Sequence, residues 1–288
     1  IRIDTYLYSD IDFMRDLVAK LRKEYADLTI FGETWVHGVG IQASFTENTF
    51  EQKEDGNLPG VTDFQTYYAI NDALSQKMSW TGGVAKMYYT LAQDYFYANA
   101  NNNVIFLDNH DLSRFYSMVG EDMSKFKMGI AWLLTMRGIP QLYYGTEILM
   151  KNYADPDGKV REDFPGGWNG DAKNKFEASE RTDQENEAFD YIQKLLKWRK
   201  GKPLFATGKL MQFVPYDGIY VYFRYNAEES VMVVMNCNDE AKQVVLAPYA
   251  ERTKGFSKFK DVQTGVEVKI EDQFSIPAWT SWVLEMGK

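Results

Sequence analysis

The sequence predicts an α/β fold followed by an all-β tail, on three observations. Short apolar runs alternate with helical stretches about five times before Lys202-Pro203. That alternation indicates parallel strands joined by crossover helices. Beyond Pro203 only short strand-like segments with regular breaks appear, as in an antiparallel sandwich. Several apolar runs of the first part also end in acids. In a barrel of parallel strands those C-terminal ends carry the chemistry. The boundary near residue 203 divides the chain into 1–203 and 204–288.

Ile1–Asp4 reads as a short strand. Ser9-Asp10-Ile11-Asp12 has capping-box spacing and precedes a helix. Met14, Leu17, Val18, Leu21 and Tyr25 form that helix's apolar stripe. Leu28–Phe31 is the next strand, closed by Gly32-Glu33-Thr34-Trp35. A polar excursion from Val36 to Gly60, containing Gly56, is long enough to suggest a functional or mobile loop. Val61–Phe64 is a third strand, and helices cover about Thr66–Met78 and Val84–Tyr97. Val104–Leu107 is the fourth strand. It stops abruptly at Asp108, Asn109, His110, Asp111, Ser113 and Arg114. Taking such groups out of water costs several kcal/mol unless they pair or act on something. An apolar helix over Met123–Met136 and a fifth strand, Gln141–Gly145, closed by Thr146-Glu147, follow. Lys151–Glu180 is polar and Gly-rich, and a helix spans Glu185–Arg199. The tail's strands are Lys209–Val214, Ile219–Tyr225, Val231–Met235, Gln243–Leu246, Val266–Ile270 and Thr280–Leu284. Asp217-Gly218 is a hairpin turn signal, and the basic run Arg252, Lys254, Lys258, Lys260 reads as a solvated face.

Bulk composition narrows the function. A net charge of −9 argues against nucleic acid or an anionic membrane as partner. No run is long and apolar enough to read as a membrane span. One cysteine, Cys237, excludes an intrachain disulfide and reads as a small core residue. Two histidines, His37 and His110, are too few for a multi-histidine metal site. Aromatic content is 15%, and rings near strand ends suit flat partners such as sugars or bases.

Three strand ends carry acids: Asp4, Glu33 and Asp111, spaced 29 and 78 residues apart. Only a fold can bring them together, and successive parallel barrel strands do so on one face. Paired carboxylates are what glycoside hydrolysis needs. Arg2 is two residues before Asp4, on the same side of a strand, where its guanidinium would keep Asp4 ionised. Glu33, between Phe31 and Trp35, sits in an apolar sequence context that would raise its pKa, as an acid needs.

Arg2-Ile3-Asp4, Gly32-Glu33-Thr34-Trp35 and Phe106–Asp111 resemble, in order, three signature regions of the α-amylase family of glycoside hydrolases. Tyr143–Glu147 resembles the family's last barrel strand, and the tail its C-terminal sandwich. The Phe164-Pro165-Gly166-Gly167-Trp168 stretch, with the segment Phe176–Gln184, resembles the cyclomaltodextrinase and neopullulanase branch more than the classical starch amylases. The resemblance implies Asp4 as nucleophile, Glu33 as general acid/base and Asp111 as transition-state stabiliser. Arg2 would orient Asp4, and His110 would hold substrate hydroxyls. Arg114, Trp35 and Trp168 complete the implied substrate-binding set, with Trp168 divided between sugar stacking and loop packing. The enzyme would be a retaining hydrolase of α-1,4-glucosidic bonds in maltodextrin, cyclodextrin, pullulan or starch. Its two working carboxyls would stand about 5–5.5 Å apart.

Two departures qualify the resemblance. The family's Lys-His after the nucleophile is replaced by Leu7 and Tyr8, which puts in doubt the aglycone contacts and a linked structural calcium, so no cofactor is expected from these residues. The family's (β/α)8 TIM barrel also has eight strands, and five are present. The chain therefore reads as the C-terminal piece of something longer, inactive by itself, with open sheet edges. A catalytically silent sugar-binding or partner subunit of the same fold is the alternative. Homo-oligomerisation is open, and so is the compartment, with the periplasm or the exterior both admissible.

Overall fold

The computed structural model describes residues 1–50, 57–268 and 273–287. Gly56 of the polar excursion, and Lys269-Ile270 at the end of an expected strand, lie outside the described residues.

β1 (Arg2–Ile3) leads through a 3-10 turn to α1 (Ile11–Glu24). Asp10, not Ser9, caps α1, its carboxylate accepting the Phe13 N–H at 2.9 Å. Met14, Val18 and Leu21 of α1 pack with Ile3, Ile30 and Val61, as the stripe predicts. β2 (Phe31–Gly32), α2 (Val39–Ala43) and β3 (Gly60–Val61) follow. The expected third strand is shortened because Asp63 caps α3 (Phe64–Ser75), accepting the Thr66 N–H at 3.1 Å. α4 (Val84–Leu91) is also shorter than its sequence pattern, which continues as a 3-10 turn over Asp94–Phe96.

β4 (Val104–Phe106), α5 (Phe115–Met118), α6 (Met123–Thr135) and β5 (Ile139–Gln141) come next. β5 starts two residues earlier than expected, so Leu142–Gly145 is already past its end. α7 (Asp183–Lys200) carries a complete capping box between Thr182 and Glu185, and α8 (Leu204–Thr207) follows directly.

The five strands run parallel in chain order. β1 pairs with β2, β2 with β3, and β4 with β5, while a Thr62–Val104 bridge joins the two sets. The chain passes so close behind β3 that a Cβ on Gly60 would sit 2.0 Å from the Asn102 carbonyl oxygen, so only glycine fits.

The tail holds β6 (Lys209–Gln212), β7 (Ile219–Tyr225), β8 (Ser230–Asn236), β9 (Lys242–Val245), α9 (Ala250–Thr253), β10 (Lys258–Asp261), β11 (Glu267–Val268), β12 (Gln273–Ile276) and β13 (Thr280–Gly287). A six-stranded sheet has the order β11-β10-β13-β8-β7-β6, and β12 pairs with β9. All these tail pairings are antiparallel. The basic run read as a solvated face includes β10, where exposed Lys258 and Lys260 alternate with buried Phe259 and Asp261. One core joins both parts: Tyr220, Tyr222, Val231 and Val233 pack in the same cluster as Trp132, Leu134, Ile192 and Leu195. No described helix is long and apolar enough to cross a membrane.

Candidate functional site

The site is built where β1, β2 and β4 end. After β1 the backbone turns sharply at Thr5, whose φ of 46° is left-handed. The Thr5 N–H then donates to Glu33 Oε2 at 2.8 Å, and the Tyr6 N–H to the Glu33 carbonyl at 3.1 Å. The turn thereby locks the end of β1 to the end of β2. Buried Tyr6 fills the space beside Gly32, where a Cβ would meet it at 2.9 Å.

Arg2 is the hub. Its Nη1 donates to Asp4 Oδ1 at 2.5 Å, and its Nη2 lies 3.3 Å from Glu33 Oε2. One guanidinium therefore holds both acids. Through that hydrogen bond and its charge, Arg2 keeps Asp4 below the usual carboxylate range, with smaller lowering from Glu33 and His110. The Asp4 side chain is open to solvent, whereas Glu33 is only 7% exposed. The apolar surroundings expected for Glu33 are thus shared with a cation and a backbone N–H.

Beyond β4, His110 Nε2 stands 3.1 Å from Asp111 Oδ2. The Asp111 backbone N–H donates to Asn109 Oδ1 at 2.8 Å, which fixes the turn. Sequence reasoning missed Arg161. Its Nη2 contacts Asp111 Oδ1 at 2.7 Å and its Nε donates to the His110 carbonyl at 2.8 Å. It comes from a 3-10 turn 50 residues further on, in a stretch without periodicity, so no local signal marks it.

Asp108 lies beneath this turn and does not face it. It accepts from the Phe115 N–H at 2.8 Å and from Thr146 Oγ1 at 3.0 Å. Burial pushes its carboxyl up to about 6 against those bonds. Arg114, expected among the substrate-binding residues, is 1% exposed. Its guanidinium rests 4.2 Å from the Tyr143 ring centre and donates to the Tyr144 carbonyl.

Trp35 stacks on Phe64 at 4.7 Å and donates from Nε1 to the Tyr68 hydroxyl at 2.7 Å. His37 stacks on Tyr68, and Phe64 packs edge-on against Phe106. These rings form a wall from the end of β2 to β4, with Trp35 partly open to solvent. Trp168 is 74% exposed, and the hydrogen bond of its backbone N–H runs to Asp171 within its own loop. Arg2, Asp4 and Glu33 thus form one cluster and His110 and Asp111 a second, and the charge of His110 reaches Asp4. Among the described residues, no group of three or more His, Cys, Asp or Glu is placed to hold a metal.

Comparison with known proteins identifies the family of the chain. Residues 8–165 match the α-amylase catalytic domain, and residues 210–285 match the cyclo-malto-dextrinase C-terminal domain. An α-amylase of Niallia circulans is 26% identical over 238 residues, covering 83% of this chain and 40% of its own length. A cyclomaltodextrin glucanotransferase of Thermoanaerobacterium thermosulfurigenes is 26% identical over the same length, with 30% of it covered. The chain therefore spans well under half of these relatives. The α-amylase of Geobacillus thermoleovorans, solved with acarbose, superposes with a TM-score of 0.79 at 23% identity, over 100% of this chain and 59% of that one. With more than half of its residues matched to the catalytic domain, the chain belongs to the α-amylase family of glycoside hydrolases.

Proposed function

We propose that this chain carries the working carboxylates of a retaining enzyme that cleaves α-glucosidic bonds of α-glucans. The observation that supports it most is Arg2 holding Asp4 and Glu33 at once. In this reading the Asp4 carboxylate attacks the anomeric carbon while the Glu33 carboxyl protonates the departing oxygen. A covalent glycosyl ester forms on Asp4. Glu33, now a carboxylate, takes a proton from water, and the resulting nucleophile displaces Asp4 with net retention. Such a route needs the two carboxyls about 5–5.5 Å apart, and a shared guanidinium suits that. His110 and Asp111 hold sugar hydroxyls beside the reacting carbon, and Arg161 keeps Asp111 oriented.

The ligand class is supported by the relatives: an α-amylase, a cyclomaltodextrin glucanotransferase and a neighbour bound to acarbose. The glucanotransferase relative supports a sugar hydroxyl as acceptor in competition with water. We read residues 1–203 as an arc of an eight-stranded barrel and 204–288 as a β-sandwich, in line with the spans of the two family matches. Among the described residues, the outer edges of β1 and β5 have no strand partner. Closing the arc takes three more strands, so turnover requires those edges to be covered.

The test is Glu33→Gln in the active protein. It is expected to lower kcat on maltodextrin at least about a hundredfold, the scale of general acid–base catalysis, with the α-anomer as the first product of the unmodified protein. Undiminished hydrolysis by the variant, or β-anomer from the parent, overturns the reading.

A further inference from the structure

A second aromatic cleft lies away from the carboxylates. Its cavity of about 550 Å³ is formed between the α3–α4 connection and the β6–β7 hairpin, within the ~300–1,000 Å³ range of ligand pockets. Trp80 stands at its rim and is 90% exposed. A Trp ring left in water forgoes the largest apolar burial of any side chain. Here the turn beneath it is built to keep it there. The Ser79 N–H donates to the Gly82 carbonyl at 3.2 Å, and the Gly82 N–H to Ser79 Oγ at 2.9 Å. Gly83 has φ of +60°, and a Cβ there would press on the Lys77 carbonyl oxygen at 2.7 Å.

Tyr89 of α4, half exposed, lines the same cavity together with Val214 and Asp217 of the hairpin. Tyr216 projects from the hairpin tip, 82% exposed. The two walls are fastened to each other. Gln212 Nε2 donates to the Tyr88 carbonyl at 3.0 Å, the Gly218 N–H points at Met78 Sδ at 3.2 Å, and Lys77 pairs with Asp239 at 3.5 Å. Little reorganisation is left for a ligand to impose, which favours binding.

The lining selects among ligands. Rings offer flat apolar faces, while the Asp217 carboxylate, whose other partner is Lys242 at 2.9 Å, the Lys77 ammonium and the Ser79 hydroxyl offer acceptors and donors around them. A pyranose has that same pairing: C–H faces above and below, hydroxyls at the edge. Polyanions are disfavoured by a net charge of −9. We infer that this cleft is an accessory binding site for an α-glucan chain, separate from the carboxylates. The inference rests on the α-glucan reading for its choice of sugar.

The experiment is adsorption of the protein to insoluble starch, compared among the parent, Trp80→Ala and Trp80→Phe, with turnover of maltotriose measured in parallel. Trp80→Ala is expected to weaken adsorption about tenfold, the loss of about 1.4 kcal/mol, while kcat/KM on maltotriose stays within about twofold. Trp80→Phe keeps a stacking face and should retain most of the adsorption. Equal adsorption by Trp80→Ala and the parent overturns the inference, as does a parent that does not adsorb. Trp80-dependent adsorption by a protein whose barrel edges are covered, without any turnover, would uphold the site and sink the proposed reaction instead.

Discussion

Arg2 sets the acid limit of the proposed chemistry. A nucleophilic carboxylate works only when ionised. The Arg2 hydrogen bond and charge hold Asp4 below its ordinary value of 3.8, so it stays ionised as the medium becomes more acidic. The acid limb of kcat/KM against pH should therefore lie below that value. Arg2→Met removes the cause, and the limb should move to higher pH, with a lower plateau because Glu33 loses the same partner. A pH–rate profile of the variant with an unmoved acid limb would show that Arg2 does not govern Asp4. The i, i+2 spacing pointed to Arg2 beside Asp4, and the two meet at 2.5 Å, although Asp4 lies in the turn after β1 and not in the strand. Arg114 was not legible in the same way. A charged residue among polar neighbours reads as solvent-facing, yet its planar cation lies over Tyr143 and Tyr144. Those rings are supplied by a segment 30 residues away that the local pattern cannot reveal.

At the scale of elements, short strands of two or three residues cannot fix their own register, and side-chain ties do it for them. Arg137, between α6 and β5, donates to Asp63 Oδ2 at 2.6 Å and to both Asp94 oxygens, at 2.7 and 2.5 Å. Asp63 also caps α3 and accepts from Gln42 Nε2 at 3.0 Å, so one buried cation joins the ends of α3, α6 and the 3-10 turn at Asp94. Burial pushes the Asp94 carboxyl up, and Arg137 opposes that shift. Arg137→Met leaves two acids facing each other without their cation. It should cost about 3–5 kcal/mol, the usual penalty for breaking a buried pair on one side. Denaturant unfolding measures this, and a loss under about 1 kcal/mol would mean the acids find other partners. The sequence announced the helices well, because their stripes bury one face. It announced strand ends poorly. Asp63 serves as a helix cap where β propensity continued the strand, and β10 hides behind a run of lysines whose alternation with Phe259 and Asp261 was the available signal.

For the whole molecule, the change of pattern at Pro203 marks a change of architecture without a break in the core. The sheet is apolar on both faces. Tyr220, Tyr222 and Val233 pack against α6 and α7, while Val221, Val234 and Leu284 pack toward β9 and β12. Arg224 of β7 is fully buried where the two parts meet. It donates to the carbonyls of Leu204, Phe205 and Gly208 at 3.3, 3.4 and 3.1 Å, and to Thr135 at 3.4 Å. Arg224 thus caps the end of α8 on its own side of the boundary and the end of α6 across it, as cations do at helix C-termini. The Tyr222 hydroxyl meets Thr135 Oγ1 at 2.5 Å in the same interface. With the core continuous, separating the two parts exposes apolar area on both, so neither retains its stability while the other unfolds. Calorimetry should show one cooperative transition, with the calorimetric and van't Hoff enthalpies equal. Arg224→Met leaves several buried carbonyls without a donor and should lower stability by about 1–3 kcal/mol, moving that single transition down without splitting it. Two resolved transitions in the parent would contradict the shared core. A split appearing only in the variant would show that Arg224, and not the apolar contact, couples the parts.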